Sequence, residues 1–272
     1  MVEPTARIRP FESTDEKNVR FTIGKARMDM LAVANRSAYV HWMTLSLWVV
    51  ASSVFIQYMH WWPEPELYGW YAYLRPIPAF ASMAVPFMFG IDWFNRPHFE
   101  KLVQDALSGP DIANVLDYYA RSPASGFWIL EYGDKFVGLI GVDVSKDSTS
   151  DISLLDPVSG GKGGKKKDIK VFMSKGTSEV ATIRHFVIDE LYRPALIQDD
   201  LLVHAIKQTF GDKNVKTIRA FDSPLEEYVS DCLRDHGFKV TKEVRTVGVF
   251  KWKLTESVLR RSDWEKGVEK EE

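Results

Sequence analysis

Residues 182–202 (TIRHFVIDELYRPALIQDDLL) hold the best case for chemistry in this chain. A buried strand is expected over 182–188. The chain then turns through Asp189, Glu190 and Leu191 and enters a helix near Pro194, a residue suited to a first helical position because its missing N–H would be unpaired there anyway. Ile197, Leu201 and Ala205 follow at four-residue spacing, flanked by Leu202, Ile206 and Phe210, so one face of that helix is apolar. A strand that feeds a helix in this way aims free backbone N–H groups and the positive end of a dipole at one spot, which suits an anion.

The rest of the sequence must position that turn. With 272 residues, the chain has room for one ordinary domain and an added segment, or for two small domains. At 45% hydrophobic it can bury a sizeable core, and its formal net charge of -2 gives no general pull toward nucleic acid. The single cysteine, Cys232, excludes an intramolecular disulfide framework and a cysteine-based metal cluster, and no metal is expected. The first twenty residues are polar and mixed in charge, unlike a signal or transit peptide.

In chain order, a short strand is expected over 6–11 and a helix from about 16 to 27, after start signals at Thr14, Asp15 and Glu16. A membrane hairpin follows. Residues 42–59 carry no charge, which is near the minimum length for a span, and Trp61 and Trp62 mark an interface. A second span is expected over about 70–94. Pro76, Pro78 and Pro86 should kink it or unwind its start, and aromatic residues gather at both ends. The alternatives are a buried helical pair in a soluble protein or a re-entrant second segment. Lys25, Arg27, Arg36, Arg96 and Lys101 flank the hairpin, whereas its connecting loop is acidic. By the positive-inside rule both termini are cytosolic.

Residues 99–120 read as helix broken at Ser108-Gly109-Pro110, with Asp111 as the next N-cap. Strands are expected over 127–132 and 135–144, joined at Gly133-Asp134. Residues 145–177 interrupt the sheet with SGGKGGKKK at 159–167, read either as a solvated flexible loop or as a basic contact to anionic headgroups. A strand over 215–221 precedes a helix opened by Ser223 as N-cap, Pro224 at N1 and Glu226 at N3. Two strands over about 239–245 and 247–254 and a charged, helical tail over 255–272 complete the chain.

This order resembles the GNAT N-acetyltransferase superfamily. More narrowly, it is similar to the membrane-anchored branch related to the cysteine-conjugate and aspartate N-acetyltransferases, in which a two-helix hairpin follows the first helix. Ile8-Arg9-Pro10, Tyr119 with Pro123, Phe127-Trp128 with Glu131, 137–141 (VGLIG), Ile183-Arg184-His185, Tyr192-Arg193 and the terminal Gly237-Phe238 carry the resemblance. It implies an α/β (α+β) fold with a mixed central sheet flanked by helices and an inserted transmembrane hairpin. The divisions are 1–37 (first strand and helix), 38–96 (hairpin), 97–254 (main domain) and 255–272 (tail).

The resemblance also implies acetyl-CoA as cosubstrate, an amine acceptor, and an endoplasmic reticulum or Golgi membrane. The cofactor would lie on Val187, Ile188, Arg193, Pro194, Ala195, Leu196, Ile197 and Gln198. Three departures stand out. Leu196 and Gln198 occupy the two small-residue positions of the phosphate turn, with Asp199 and Asp200 behind them. The position of the usual proton-donating tyrosine, counted back from Gly237, is Leu233, and Tyr228 is more than a helical turn away. The usual base position in the central strand is Thr182, which leaves Glu131 and His185 as candidate bases if they face the acceptor. The functional expectation is an N-acetyltransferase. The alternative is a catalytically inactive scaffold, chaperone or packaging factor for another membrane protein.

Overall fold

A computed structural model describes residues 5–133, 135–149 and 174–271. Seven strands form one sheet in the order β1-β2-β3-β4-β5-β7-β6. They are β1 (Ala6–Pro10), β2 (Gly126–Tyr132), β3 (Lys135–Ser145), β4 (Thr177–Ile188), β5 (Thr217–Asp222), β6 (Lys239–Val247) and β7 (Trp252–Arg260). Neighbours run antiparallel except β4 and β5, which are parallel.

The period of two along the strands sorts side chains between two layers. Ile129, Leu139 and Val187 face α1 (Glu16–Tyr39), α5 (Pro110–Ala113) and α6 (Val115–Tyr119), and pack with Val19, Ile23, Ile112 and Val115. Leu130, Ile140 and Ile188 turn to the other layer, formed by α7 (Ile197–Phe210) and α8 (Glu227–Asp235), and meet Leu201, Leu202, Ile206 and Leu233.

Two helices, α2 (Trp42–Met59) and α4 (Ile77–Leu107), form the hairpin, with the short α3 (Pro65–Tyr68) and a 3-10 turn over Gly69–Leu74 between them. By length and composition, Trp42–Met59 and a window within Pro65–Leu107 could each cross a membrane, and only 11% and 6% of those windows are buried within the protein. The second helix therefore starts at Ile77, after the expected unwinding at the prolines. It then continues as α-helix past the hairpin to Leu107, with Pro86 and Pro97 inside it.

The first helix extends twelve residues beyond its expected end because its second half has a partner. Met30, Leu31 and Ala34 pack on Phe99 of α4 and on Leu225. At the base, Asn95 is fully buried. Its Nδ2 donates to Asn35 Oδ1 (2.9 Å), and its Oδ1 accepts from the Val249 amide (3.0 Å), so α1, α4 and the β6–β7 turn are joined there.

Three local expectations are corrected. Asp111 lies inside α5 and Gly109 is its N-cap. The expected capping box at Ser223 does not form: α8 opens at Glu227, Ser223 Oγ accepts only from the Leu225 amide, and the Glu226 carboxylate is drawn to Arg27 (3.1 Å). Residues Thr255–Arg260 are strand, not tail, because β7 inserts between β5 and β6 and buries Glu256, Ser257 and Leu259. The charged helix α9 (Arg261–Glu271) begins only after it. The lysine run at 159–167 and Asp134 lie outside the described residues.

Candidate functional site

The central strand is not regular. In the β3–β4 register Gly141 faces His185 and Val142 faces Ile183, so Arg184 is an extra residue in β4. Such a bulge re-aims side chains. Here the two consecutive residues at it each find a buried carboxylate. His185 Nε2 lies 2.7 Å from Asp111 Oδ2, and Arg184 lies 2.8 Å from Asp143 Oδ2 on β3. Tyr118 donates its hydroxyl to the same Asp143 oxygen (3.0 Å), Arg121 reaches it at 3.3 Å, and the Arg121 guanidinium lies 3.7 Å from the Tyr118 ring centroid.

Burial by itself would raise the Asp111 and Asp143 carboxyls. His185 and Arg184 at Asp111, and Arg184, Ser145 and Arg121 at Asp143, outweigh it, and both pKa values fall below the ordinary carboxylate range. Burial raises the Tyr118 and Tyr119 hydroxyls, so both stay protonated. The Tyr119 hydroxyl is buried without a partner over Gly141, where an added Cβ would sit 2.6 Å from it.

His185 Nδ1 is likewise buried without a hydrogen-bond partner, and its ring lines a cavity of about 50 Å³. Arg27 and Met30 of α1, Leu102 and Asp105 of α4, Phe221 of β5 and Ser223 just after it, and Arg245, Val247 and Leu254 of the β6–β7 pair form the other walls. That volume suits a small polar group or one or two waters.

Beyond this cavity β4 and β5 part. They pair only from Val180–Thr217 to Thr182–Arg219. Past that point the edge of β4 facing β5 has no ladder partner among the described residues. Side chains fill the gap and leave about 30 Å³ between Ile183, Phe186, Ala220 and Leu233. Arg27 and Glu226 bridge its mouth. Tyr228 enters from α8. Its buried hydroxyl has no hydrogen-bond partner and lies near the Ile188 backbone, and burial raises its pKa. Arg193 closes the end: Nε donates to the Ile188 carbonyl (3.1 Å), and the guanidinium lies 4.0 Å from the Tyr228 ring centroid.

The turn into α7 keeps an unusual backbone. Glu190–Ala195 form a 3-10 turn, so the α-helix starts at Ile197, three residues later than Pro194 suggests. Between them Leu196 adopts φ 54°, ψ 24°, the left-handed conformation that glycine ordinarily supplies. Its side chain is exposed, which avoids a clash with the helix. Gln198 is buried and its Oε1 lacks a partner.

The two aspartates do not crowd this turn. Asp200 is exposed, and Asp199 faces α8, where its carboxylate hydrogen-bonds the Cys232 thiol and lies 3.8 Å from His236 Nδ1. The Asp199 charge is thereby drawn toward α8 rather than to the turn.

The expected cofactor residues therefore divide. Arg193, Pro194, Ala195, Leu196, Ile197 and Gln198 form the turn, whereas Val187 and Ile188 are buried on opposite faces of β4. Of the candidate bases, His185 lines the cavity and Glu131 does not. Glu131 is held by Arg9 at 2.6 and 2.9 Å, and Arg9 also binds Asp15, so this carboxylate ties β2 to β1 and the start of α1. Leu233 lines the gap as counted. Tyr228, at the start of α8 and more than a helical turn from Leu233, places its hydroxyl near the Ile188 backbone, beside the parted strands.

A pyrophosphate-bearing acyl carrier fits the turn. Arg193 supplies a cation, and the amides of Ile197 and Gln198 open a helix of fourteen residues, where first-turn N–H groups lack intrahelical partners. The gap beyond is closed by side chains rather than by strand pairing.

No family model matches the sequence, and no curated protein sequence matches it. Solved structures do align with it. A Vibrio cholerae spermidine N-acetyltransferase in complex with CoA and spermine shares 9% identity over 96% of this chain and 98% of that one (TM-score 0.45). A GNAT-family acetyltransferase from Streptococcus pneumoniae shares 11% over 55% and 74% (TM-score 0.40). Arabidopsis thaliana NAA60 in complex with a bisubstrate analogue shares 11% over 50% and 75% (TM-score 0.36). The order of elements, the mixed sheet flanked by helices and the helix turning off the end of β4 are those of the α/β fold that the sequence resemblance implies.

Proposed function

We propose that this chain is a membrane-anchored N-acetyltransferase that moves an acetyl group from acetyl-CoA to an amine. The observation that carries this reading is the Asp111–His185 pair, with Nδ1 unpaired and the ring on a cavity beside the parted strands. Acetyl-CoA, when bound, supplies an activated thioester. Arg193 and the amides opening α7 would hold its phosphates. His185 Nδ1 takes the proton that an ammonium acceptor must lose before it becomes nucleophilic, and Asp111 fixes the ring and stabilises the imidazolium. Tyr228, kept protonated by burial, holds a proton at the gap. Holding the amine in place can itself supply several kcal/mol of the barrier.

The two apolar helices would cross the bilayer, with both termini cytosolic as the lysine and arginine distribution implies. The resemblance points to the endoplasmic reticulum or Golgi. The test is acetyl-CoA binding by calorimetry on the solubilised full chain, followed by acetyl transfer to a panel of amines. Micromolar binding lost in Arg193→Glu, and transfer lost in His185→Gln, are expected.

One observation favours a second reading, a non-catalytic scaffold or packaging factor for another membrane protein. Tyr228, Arg193 and the Arg27–Glu226 pair fill the gap between β4 and β5. No acetyl-CoA binding by a folded sample would select that reading.

A further inference from the structure

We propose that the acceptor is an amphiphile at the membrane surface: a single-chain, long-chain amine whose ammonium reaches His185 while its tail stays in the bilayer. This rests on the acetyl-transfer reading above.

The cavity and the hairpin share their walls. One continuous helix, α4, carries Trp93 and Phe94, both two-thirds exposed, at the end of its apolar stretch, and Leu102 and Asp105 in the cavity wall. At about 1.5 Å per residue, Leu102 lies only about 12 Å along the axis from Phe94. Wall residue Val247 ends β6, and the turn that follows reaches down to the same boundary. Val249 there is exposed, and the Phe250 ring lies 4.5 Å from His41, whose Nδ1 caps the first residues of α2 (3.3 Å from the Met43 amide). The Asn95 bonds to Asn35 and Val249 fix these elements to one another at that level.

The wall chemistry selects the ligand. Met30, Leu102, Val247 and Leu254 are apolar, Asp105 and His185 supply a carboxylate and an imidazole, and the two arginines of the wall, Arg27 and Arg245, are already engaged, Arg27 by Glu226 at 3.1 Å. An ammonium on a plain alkyl stem matches both. A soluble polyamine would set a second charge against the apolar wall, which is costly. An alkyl tail leaving the cavity stays favourable only if it re-enters an apolar phase, and the exposed aromatic end of the hairpin marks where that phase begins.

The experiment uses the full chain in phosphatidylcholine vesicles with acetyl-CoA. Dodecylamine should be acetylated about tenfold or more faster, at equal total amine, than butylamine or spermidine. Equal rates would overturn the amphiphile and leave acetyl transfer standing. In the same vesicles, a dodecylamine with a diazirine near its head should label peptides containing Leu102 and Val247, and unlabelled dodecylamine should compete. Labelling confined to Trp42–Met59 would overturn the inference. Labelling at Leu102 and Val247 without acetylation of any amine would sink the enzymatic reading and, with it, the amphiphile as acceptor.

Discussion

The two ends of β4 make different use of side chains. At the bulge, Asp111, Tyr118, Arg121 and Asp143 are packed out of water around Arg184 and His185, and each charge has a partner. At the turn into α7, the side chains are mostly exposed, and the backbone holds the shape even though leucine stands in the left-handed position. A buried charge network tolerates little change, because removing one member leaves another charge desolvated. A surface turn tolerates exchange, because its cost is local strain. Sequence resemblance at the turn is therefore a weaker guide to the site than the geometry at the bulge.

The sharpest break of this contrast is Asp143→Ala. It leaves Arg184 and Arg121 without their shared carboxylate and should cost about 3–5 kcal/mol, read as a lower denaturant midpoint. Asp143 has a lowered folded pKa, so its contribution is complete above the unfolded value of about 4 and disappears as pH falls through the folded one. The variant should therefore lose less stability on acidification than the parent. Next is His185→Gln, which should lower acetyl transfer about 10²–10⁴-fold while a chemical melt shows the fold retained. A small change would move the base elsewhere.

At the other end of β4, Arg193→Glu should weaken acetyl-CoA binding by about tenfold or more, since it reverses a charge at the helix N-terminus. Leu196→Gly should stabilise the protein by about 1 kcal/mol by relieving the left-handed leucine, without loss of acetyl-CoA affinity. Asp199→Asn should change that affinity least, within about twofold, because its carboxylate faces Cys232. A large gain in affinity would mean that this charge does reach the turn.

Much of the fold was legible from alternation, turn residues and the hydrophobic hairpin. The order of strands and helices, the strand leading into the turn, and the unwound start of the second apolar segment all follow from local signals. What was not legible depends on distant partners. The strand Thr255–Arg260 reads as a charged tail until Lys242 is found beside Glu256. The second half of α1 needs Phe99 to make sense of Met30 and Ala34. The Asp111–His185 pair joins positions 74 residues apart, and nothing local to either announces the other. The place of Tyr228 beside the Ile188 backbone depends on how α8 packs, which spacing along the helix does not report.

The pairing of β1 with β2 has a consequence for how the molecule is made. The first strand and first helix are synthesised before the hairpin, but their partners come after it. At 5–20 residues per second, residues 6–39 wait on the order of ten seconds before β2 leaves the ribosome. During that wait the apolar face of α1 has no sheet to cover it. The hairpin thus leaves the ribosome before the domain can close, and until β2 follows, residues 6–39 stay a short fragment whose uncovered apolar face is open to capture by chaperones.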